Sequence, residues 1–153
     1  MKILVGVLYC IENEISRCIS SIQQQIYKDY DYFIIEGLPN KEAHNKLYET
    51  FMKNNENYDL FIKIDADMVL SRPTLFSEVV DYITKEKDVD DLQIAVNDCY
   101  TDRLIYGLHV YSGRMRWTND SEQVVVDWPD VIRSYKRVND NANLAPAADH
   151  CPD

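Results

Sequence analysis

From Ile3 to Val96 the chain repeatedly switches between two hydrophobic periods, and this alternation restricts its fold more than any other feature. Ile3 to Leu8 is a short continuous apolar run, the length of a buried strand. The acidic stretch Glu12-Asn13-Glu14 suits a helix start, and Ile15, Cys18, Ile19, Ile22 and Ile26 follow at helical spacing. Asp31 to Glu36 reads as a second strand and Gly37-Leu38-Pro39-Asn40 as a turn. Ala43, Leu47 and Phe51 mark the apolar stripe of a second helix, which ends in the polar residues Asn54 to Asn57. Leu60 to Ile64 is a third strand, and Ser71-Arg72-Pro73 opens a third helix with Phe76, Val79, Val80 and Ile83 on one face. The acidic turn Asp88 to Asp91 leads to a strand over Leu92 to Val96. Such a series predicts an α/β domain with a mostly parallel sheet. Its ligands are expected beyond the carboxyl ends of the strands.

The pattern then changes. Leu104 to Tyr111 and Met115-Arg116-Trp117 read as a hairpin about Ser112-Gly113. Val131, Ile132 and Tyr135 suggest a short helix after Pro129, and the polar tail Asn139 to Asp153 reads as irregular. No internal repeat or low-complexity block stands out.

The third strand carries the chemistry. Phe61-Ile62-Lys63-Ile64 runs directly into Asp65-Ala66-Asp67, and strand alternation points both carboxylates the same way. Two such groups repel unless a cation lies between them, and a hard divalent ion is the usual one. Glu36 ends the second strand at the same sheet edge. The alternative for Asp65 and Asp67 is a solvated acidic turn, which the apolar residues around them disfavour.

Bulk properties limit the remaining choices. The 153 residues are 46% hydrophobic, enough for one domain, 1–153, with a real core. A net charge of −10 argues against a nucleic-acid partner. No apolar stretch is long enough to be a transmembrane segment, and Met1 to Leu8 lacks the features of a secretion signal, so a cytoplasmic location is expected. Cys10, Cys18, Cys99 and Cys151 form no C-x-x-C pair and read as reduced thiols; their spacing does not suggest a zinc site.

The first strand with Glu12-Asn13-Glu14, the helix ending Ser20-Ser21-Ile22-Gln23-Gln24-Gln25-Ile26-Tyr27, the second strand ending at Glu36, and Ile64-Asp65-Ala66-Asp67 as a DxD motif together resemble the GT-A-fold nucleotide-sugar-dependent glycosyltransferases, family 2 most closely. The resemblance covers residues 2–85 well and the rest loosely. It implies a three-layer, Rossmann-like sandwich whose residues 1–100 bind the nucleotide, with 101–153 forming the acceptor side and a metal-completing tail. Chains of this family commonly continue past that point, so an acceptor-binding segment is expected to be missing. The resemblance also implies a nucleoside diphosphate sugar donor, UDP-linked, and a glycan, lipid or protein acceptor of unknown identity. The diphosphate would sit on Mn²⁺ or Mg²⁺ held by Asp67, with Asp65 on the ribose or the metal and His150 completing the shell. Leu8 and Glu12 would line the nucleotide from the other side. Where the family has an aspartate pair and a Gly-Ser turn after the second strand, this chain has Glu36-Gly37-Leu38-Pro39-Asn40.

Glu36 could accept a hydrogen bond from a uracil N–H or a ribose hydroxyl, or simply end a solvated strand. Lys63 could neutralise phosphate or pair with a neighbouring acid. An inverting enzyme needs a carboxylate base, and Asp120 and Glu122 follow the expected hairpin, with Asp127 a further option. Trp117 and Trp128 could stack on a sugar, though packing is the commoner use. His44 and His109 read as packing or surface residues. Two alternatives compete with the transferase: a GT-A-like domain that binds without turnover, and a haloacid-dehalogenase-type phosphohydrolase. The second fits poorly, because the aspartate pair ends the third strand instead of the first and is followed by Met68-Val69-Leu70.

Overall fold

The computed structural model describes residues 1–117 and 135–152. Among these residues, eight strands form one sheet in the order β2-β1-β3-β6-β5-β8-β4, with β7 paired to β5 off this path. The strands are β1 (Ile3–Tyr9), β2 (Tyr30–Glu36), β3 (Leu60–Asp65), β4 (Met68–Leu70), β5 (Asp91–Asp98), β6 (Arg103–Ser112), β7 (Arg137–Asp140) and β8 (Ala148–His150). The helices are α1 (Ile15–Gln23), α2 (Asn40–Lys53) and α3 (Leu75–Lys85). β1 pairs in parallel with β2 and β3, and β5 with β7 and β8; the pairings of β6 with β3 and β5, and of β4 with β8, are antiparallel. Only β6 and β4 therefore run against the rest, and the sheet is mixed but mostly of one direction.

Alternation along the strands builds three layers. Ile3, Val5 and Val7 of β1 and Leu60, Ile62 and Ile64 of β3 pack with Cys18 and Ile22 of α1 and Phe76, Val79 and Ile83 of α3. Leu4, Leu8 and Phe61 point to the other face, against Leu47, Tyr48 and Phe51 of α2. Lys63 and Asp65 share that parity, so the α2 face turns from apolar to charged along one strand. Trp117 closes this second core: its ring stacks on Tyr48 at 4.8 Å, and Phe51 stacks on Phe61 at 4.7 Å.

The structure departs from the sequence expectations mostly after Ile64. The hairpin about Ser112-Gly113 does not form. β6 pairs instead with β5 through a turn at Cys99–Asp102, in which Asp102 takes a positive φ of 51°. Gly113 lies under Tyr58, whose carbonyl oxygen would stand 2.9 Å from any Cβ there; that close approach explains the glycine. The tail is irregular only in part: residues 139–140 end β7 and 148–150 form β8. Asp140 accepts backbone N–H bonds from Asn143, Leu144 and Ala145, and the Arg72 guanidinium donates to the carbonyls of Leu144 and Pro146. Pinned at both points, the chain delivers β8 between β5 and β4. β4 has β8 on one side, and on the other the Leu70 N–H donates to Ser21 Oγ of α1 at 3.0 Å. Helix α1 stops at Gln23, leaving Ile26 exposed. Asp120, Glu122, Asp127, Trp128, Val131 and Ile132 lie outside the described residues.

Candidate functional site

The carboxyl ends of β1 and β3 open onto a cavity of about 350 Å³, lined by Leu8, Tyr9, Cys10, Glu12, Leu38, Pro39, Asn40, Ala43, His44, Asp65 and Asp67. Leu8, Glu12, Asp65 and Asp67 thus come together from two separate stretches of sequence. β1 and β3 are adjacent and in register, with Leu8 opposite Asp65, and this places the acids beside the β1 loop. That loop is tight. Ile11 is 84% exposed at a φ of 61°, an unusual conformation for a β-branched residue, and the Cys10 N–H donates to the Glu12 carboxylate. Glu36 is exposed at the end of β2, opposite Tyr9; Leu38, Pro39 and Asn40 form the cavity wall on that side.

Asp65 and Asp67 do different things. Ala66 and Asp67 turn the chain from β3 into β4, which separates the two carboxylates. Lys63 Nζ lies 3.0 Å from Asp65 Oδ1 and 3.1 Å from Oδ2. The Lys63 side chain is 3% exposed and that of Asp65 is 35% exposed. Burial raises the Asp65 carboxyl, but the Lys63 charge and hydrogen bond, helped by His44 and His109, outweigh it and hold the group below the usual carboxylate range. Lys63 therefore pairs with the neighbouring acid. It faces a second cavity of about 250 Å³, shared with Asp65, Gln93, His109, Asn139 and His150, and is absent from the lining of the first.

Asp67 meets His150. The β4–β8 pairing sets Met68 opposite His150 and brings His150 Nε2 to 3.3 Å from Asp67 Oδ2. His150 Nδ1 lies 2.9 Å from Asp98 Oδ1, and hydrogen bonds from Thr101, then His150, hold Asp98 below its ordinary range. If Nδ1–H donates to Asp98, the Nε2 lone pair faces a carboxylate oxygen. Two acceptors at that distance call for a proton or a cation between them. Asp67 Oδ1 is buried with no hydrogen-bond partner among the described residues. Cys151 joins the group, with Sγ 3.3 Å from Asp67 Oδ2 and 3.5 Å from His150 Nε2. Burial, then the hydrogen bond to Asp67, push its thiol up to about 12. Asp67 Oδ2, a carboxylate-oriented imidazole and a thiol fit a divalent cation. Asp65 is not in this donor group.

Sequence reasoning gave no site role to Asp98 or Cys151, and its reading of His44 as a packing or surface residue agrees with that side chain's burial against Tyr48. Asp98 ends a strand 52 residues before its histidine, and no spacing rule connects them. Cys151 adjoins His150, so the pair His150-Cys151 was the available signal. His44 is buried beside the cavity, its Nδ1 2.8 Å from the Asn40 carbonyl oxygen one helical turn back. His109 packs on Tyr111 with its Nδ1 3.8 Å from Asp91 Oδ1, in the second cavity.

No protein-family profile matches the chain, and no curated protein matches it. Solved structures do resemble it. A197 from STIV superposes with a TM-score of 0.56 at 13% identity, over 73% of this chain and 65% of that one. S. aureus TarS 1-349 gives 0.57 at 10% identity over 78% of this chain and 51% of its own; a longer TarS chain gives 0.55 at 10% over 78% and 31%. The chain spans less than two thirds of each of these proteins. At such identities the likeness concerns the fold alone. No helix among the described residues is long and apolar enough to cross a membrane.

Proposed function

We propose that the chain is a metal-dependent glycosyltransferase that moves a sugar from a nucleoside diphosphate donor, UDP-linked, to a glycan, lipid or protein acceptor. One observation carries the reading: Leu8, Glu12, Asp65 and Asp67 line a single cavity at the carboxyl edge of the sheet, with His150 reaching Asp67 from β8. The nucleoside would lie between the β1 loop and Leu38–Asn40, with Asp65 toward the ribose. The diphosphate would lie at Asp67 and His150. A divalent cation held there would supply Lewis-acid stabilisation of the departing diphosphate. Asp98 orients the imidazole, and Lys63 keeps the Asp65 carboxylate charged and fixed. Asp120 and Glu122 are the proposed bases toward the acceptor hydroxyl.

Thermal unfolding with nucleoside diphosphates tests this. UDP with a divalent cation raises the melting temperature, Asp67→Ala removes the shift, and Asp120→Asn with Glu122→Gln leaves the shift while lowering transfer. No shift with any nucleoside diphosphate, with or without metal, overturns the reading.

A further inference from the structure

We propose that Cys151 is a direct metal ligand, so that Asp67, His150 and Cys151 form a three-donor site with a preference for thiophilic, borderline-soft cations such as Zn²⁺ over Mg²⁺ and Mn²⁺. The inference deepens the metal part of the reading above, and it needs no nucleotide and no transfer activity.

The edges of the donor triangle carry the argument. Sγ to Nε2 is 3.5 Å, Nε2 to Oδ2 is 3.3 Å and Sγ to Oδ2 is 3.3 Å. A tetrahedral zinc ion with ordinary Zn–S, Zn–N and Zn–O bonds sets its ligands about 3.6, 3.3 and 3.6 Å apart in the same order. An octahedral Mg²⁺ would draw adjacent ligands to about 3.0 Å and selects oxygen, not sulfur. The observed triangle therefore has the dimensions of one face of a tetrahedron, before any ion draws it in.

The surroundings agree. Three protein donors leave a fourth tetrahedral position for water or a ligand oxygen, the arrangement of catalytic zinc sites. Asp67 lines the first cavity and His150 the second, so the group stands between the two spaces. Asp98 holds Nδ1 of the ligating imidazole, as outer carboxylates do at such sites. The backbone keeps Cys151 in place: it adopts a φ of 51°, and its N–H donates to the Asp67 carbonyl oxygen at 2.8 Å. That contact turns the thiol back toward Asp67 instead of letting it follow the chain outward. A plain hydrogen bond from the thiol to Asp67 is the rival account, and the two differ in what metal does.

The chelator-stripped full chain is titrated with Cd²⁺, Co²⁺, Zn²⁺ and Mn²⁺, without nucleotide. Cys10 and Cys99 are exposed and are replaced by Ser in a control background. The expected result is one equivalent of Cd²⁺ giving a sulfur-to-metal charge-transfer band in that background, lost in Cys151→Ser. The Zn²⁺-over-Mn²⁺ preference falls roughly tenfold or more in Cys151→Ser. Should that variant fail to fold, alkylation of the unmutated chain serves instead: Zn²⁺ protects Cys151, located by peptide mass spectrometry, and leaves Cys99 reactive. No charge-transfer band, an unchanged Zn²⁺-over-Mn²⁺ ratio, or unprotected Cys151 in the presence of Zn²⁺ overturns the proposal. A chain that passes these tests and binds no nucleoside diphosphate keeps its thiol ligand and loses the transferase reading.

Discussion

Replacing either member of the Lys63–Asp65 pair destabilises the protein, and by unequal amounts. The ammonium is almost wholly enclosed, at 3% exposure, whereas the carboxylate is about one third open. Asp65→Asn leaves a buried cation with only an amide oxygen to accept from it. Breaking a buried pair this way costs about 3–5 kcal/mol, and the retained acceptor puts this case near 3. Lys63→Met instead leaves a carboxylate that can turn to water and fills the lysine stem with a similar apolar chain, so about 1–2 kcal/mol is expected. The double variant, lacking both charges, recovers part of the Asp65→Asn loss, a coupling of about 1–2 kcal/mol. Urea unfolding at neutral pH with chelator present measures all four free energies, with constant m-values as the two-state check. If Lys63→Met proves costlier than Asp65→Asn, or the double variant is merely additive, the pair is not held as described.

Acid should weaken the fold in a defined window. Asp65, Glu78 and Asp98 are held below the ordinary carboxylate range, by Lys63 against the cost of burial, by hydrogen bonds from Arg72, and by hydrogen bonds from Thr101 and His150 respectively. A lowered folded-state value means the stabilisation is present above the unfolded-state pKa and is lost as pH falls through the folded one; Asp65→Asn should flatten that limb of the stability–pH curve. Gly6→Ala should cost about 1–3 kcal/mol in urea unfolding, because a Cβ there would stand 2.2 Å from Leu47 Cδ1 and 3.0 Å from the tips of Phe33 and Phe51. Ile11→Asn should raise stability by about 1 kcal/mol, since the residue is exposed at a left-handed φ that asparagine tolerates; a lower melting temperature would refute that strain.

What the sequence showed, and what it hid, follows from the range of the interactions. β1, β3, α2 and α3 carry long single-period stripes, so Val5, Ile62, Leu47 and Val79 announce their own layers. β4 and β8 are three residues each, too short for a period, and exist because they pair with each other and, through β8, with β5. The parity of Lys63 and Asp65 was readable, but the turn at Ala66–Asp67 that separates the two aspartates was not. Asp67 could be named from the apolar strand that runs into it, and His150 only from the family resemblance. Asp98 could not, since its role comes from a histidine that only the sheet brings near. The hairpin reading failed because Gly113 serves a close approach to Tyr58, and a lone Ser-Gly cannot distinguish that from a turn.

The insertion of β8 between β5 and β4 has a kinetic consequence. β4 leaves the ribosome some eighty residues ahead of the strand that joins it to the sheet; until then it is held by the Ser21 bond and by the packing of Met68 and Leu70 in the core. Closing that long loop is slow relative to local structure. The proposed donors, Asp67 just before β4, His150 at the end of β8 and Cys151 just after it, come within reach of one another in the same event that completes the sheet. If the proposed metal site is real, a cation added to the refolding protein should slow the unravelling of the C-terminal strand more than it speeds folding.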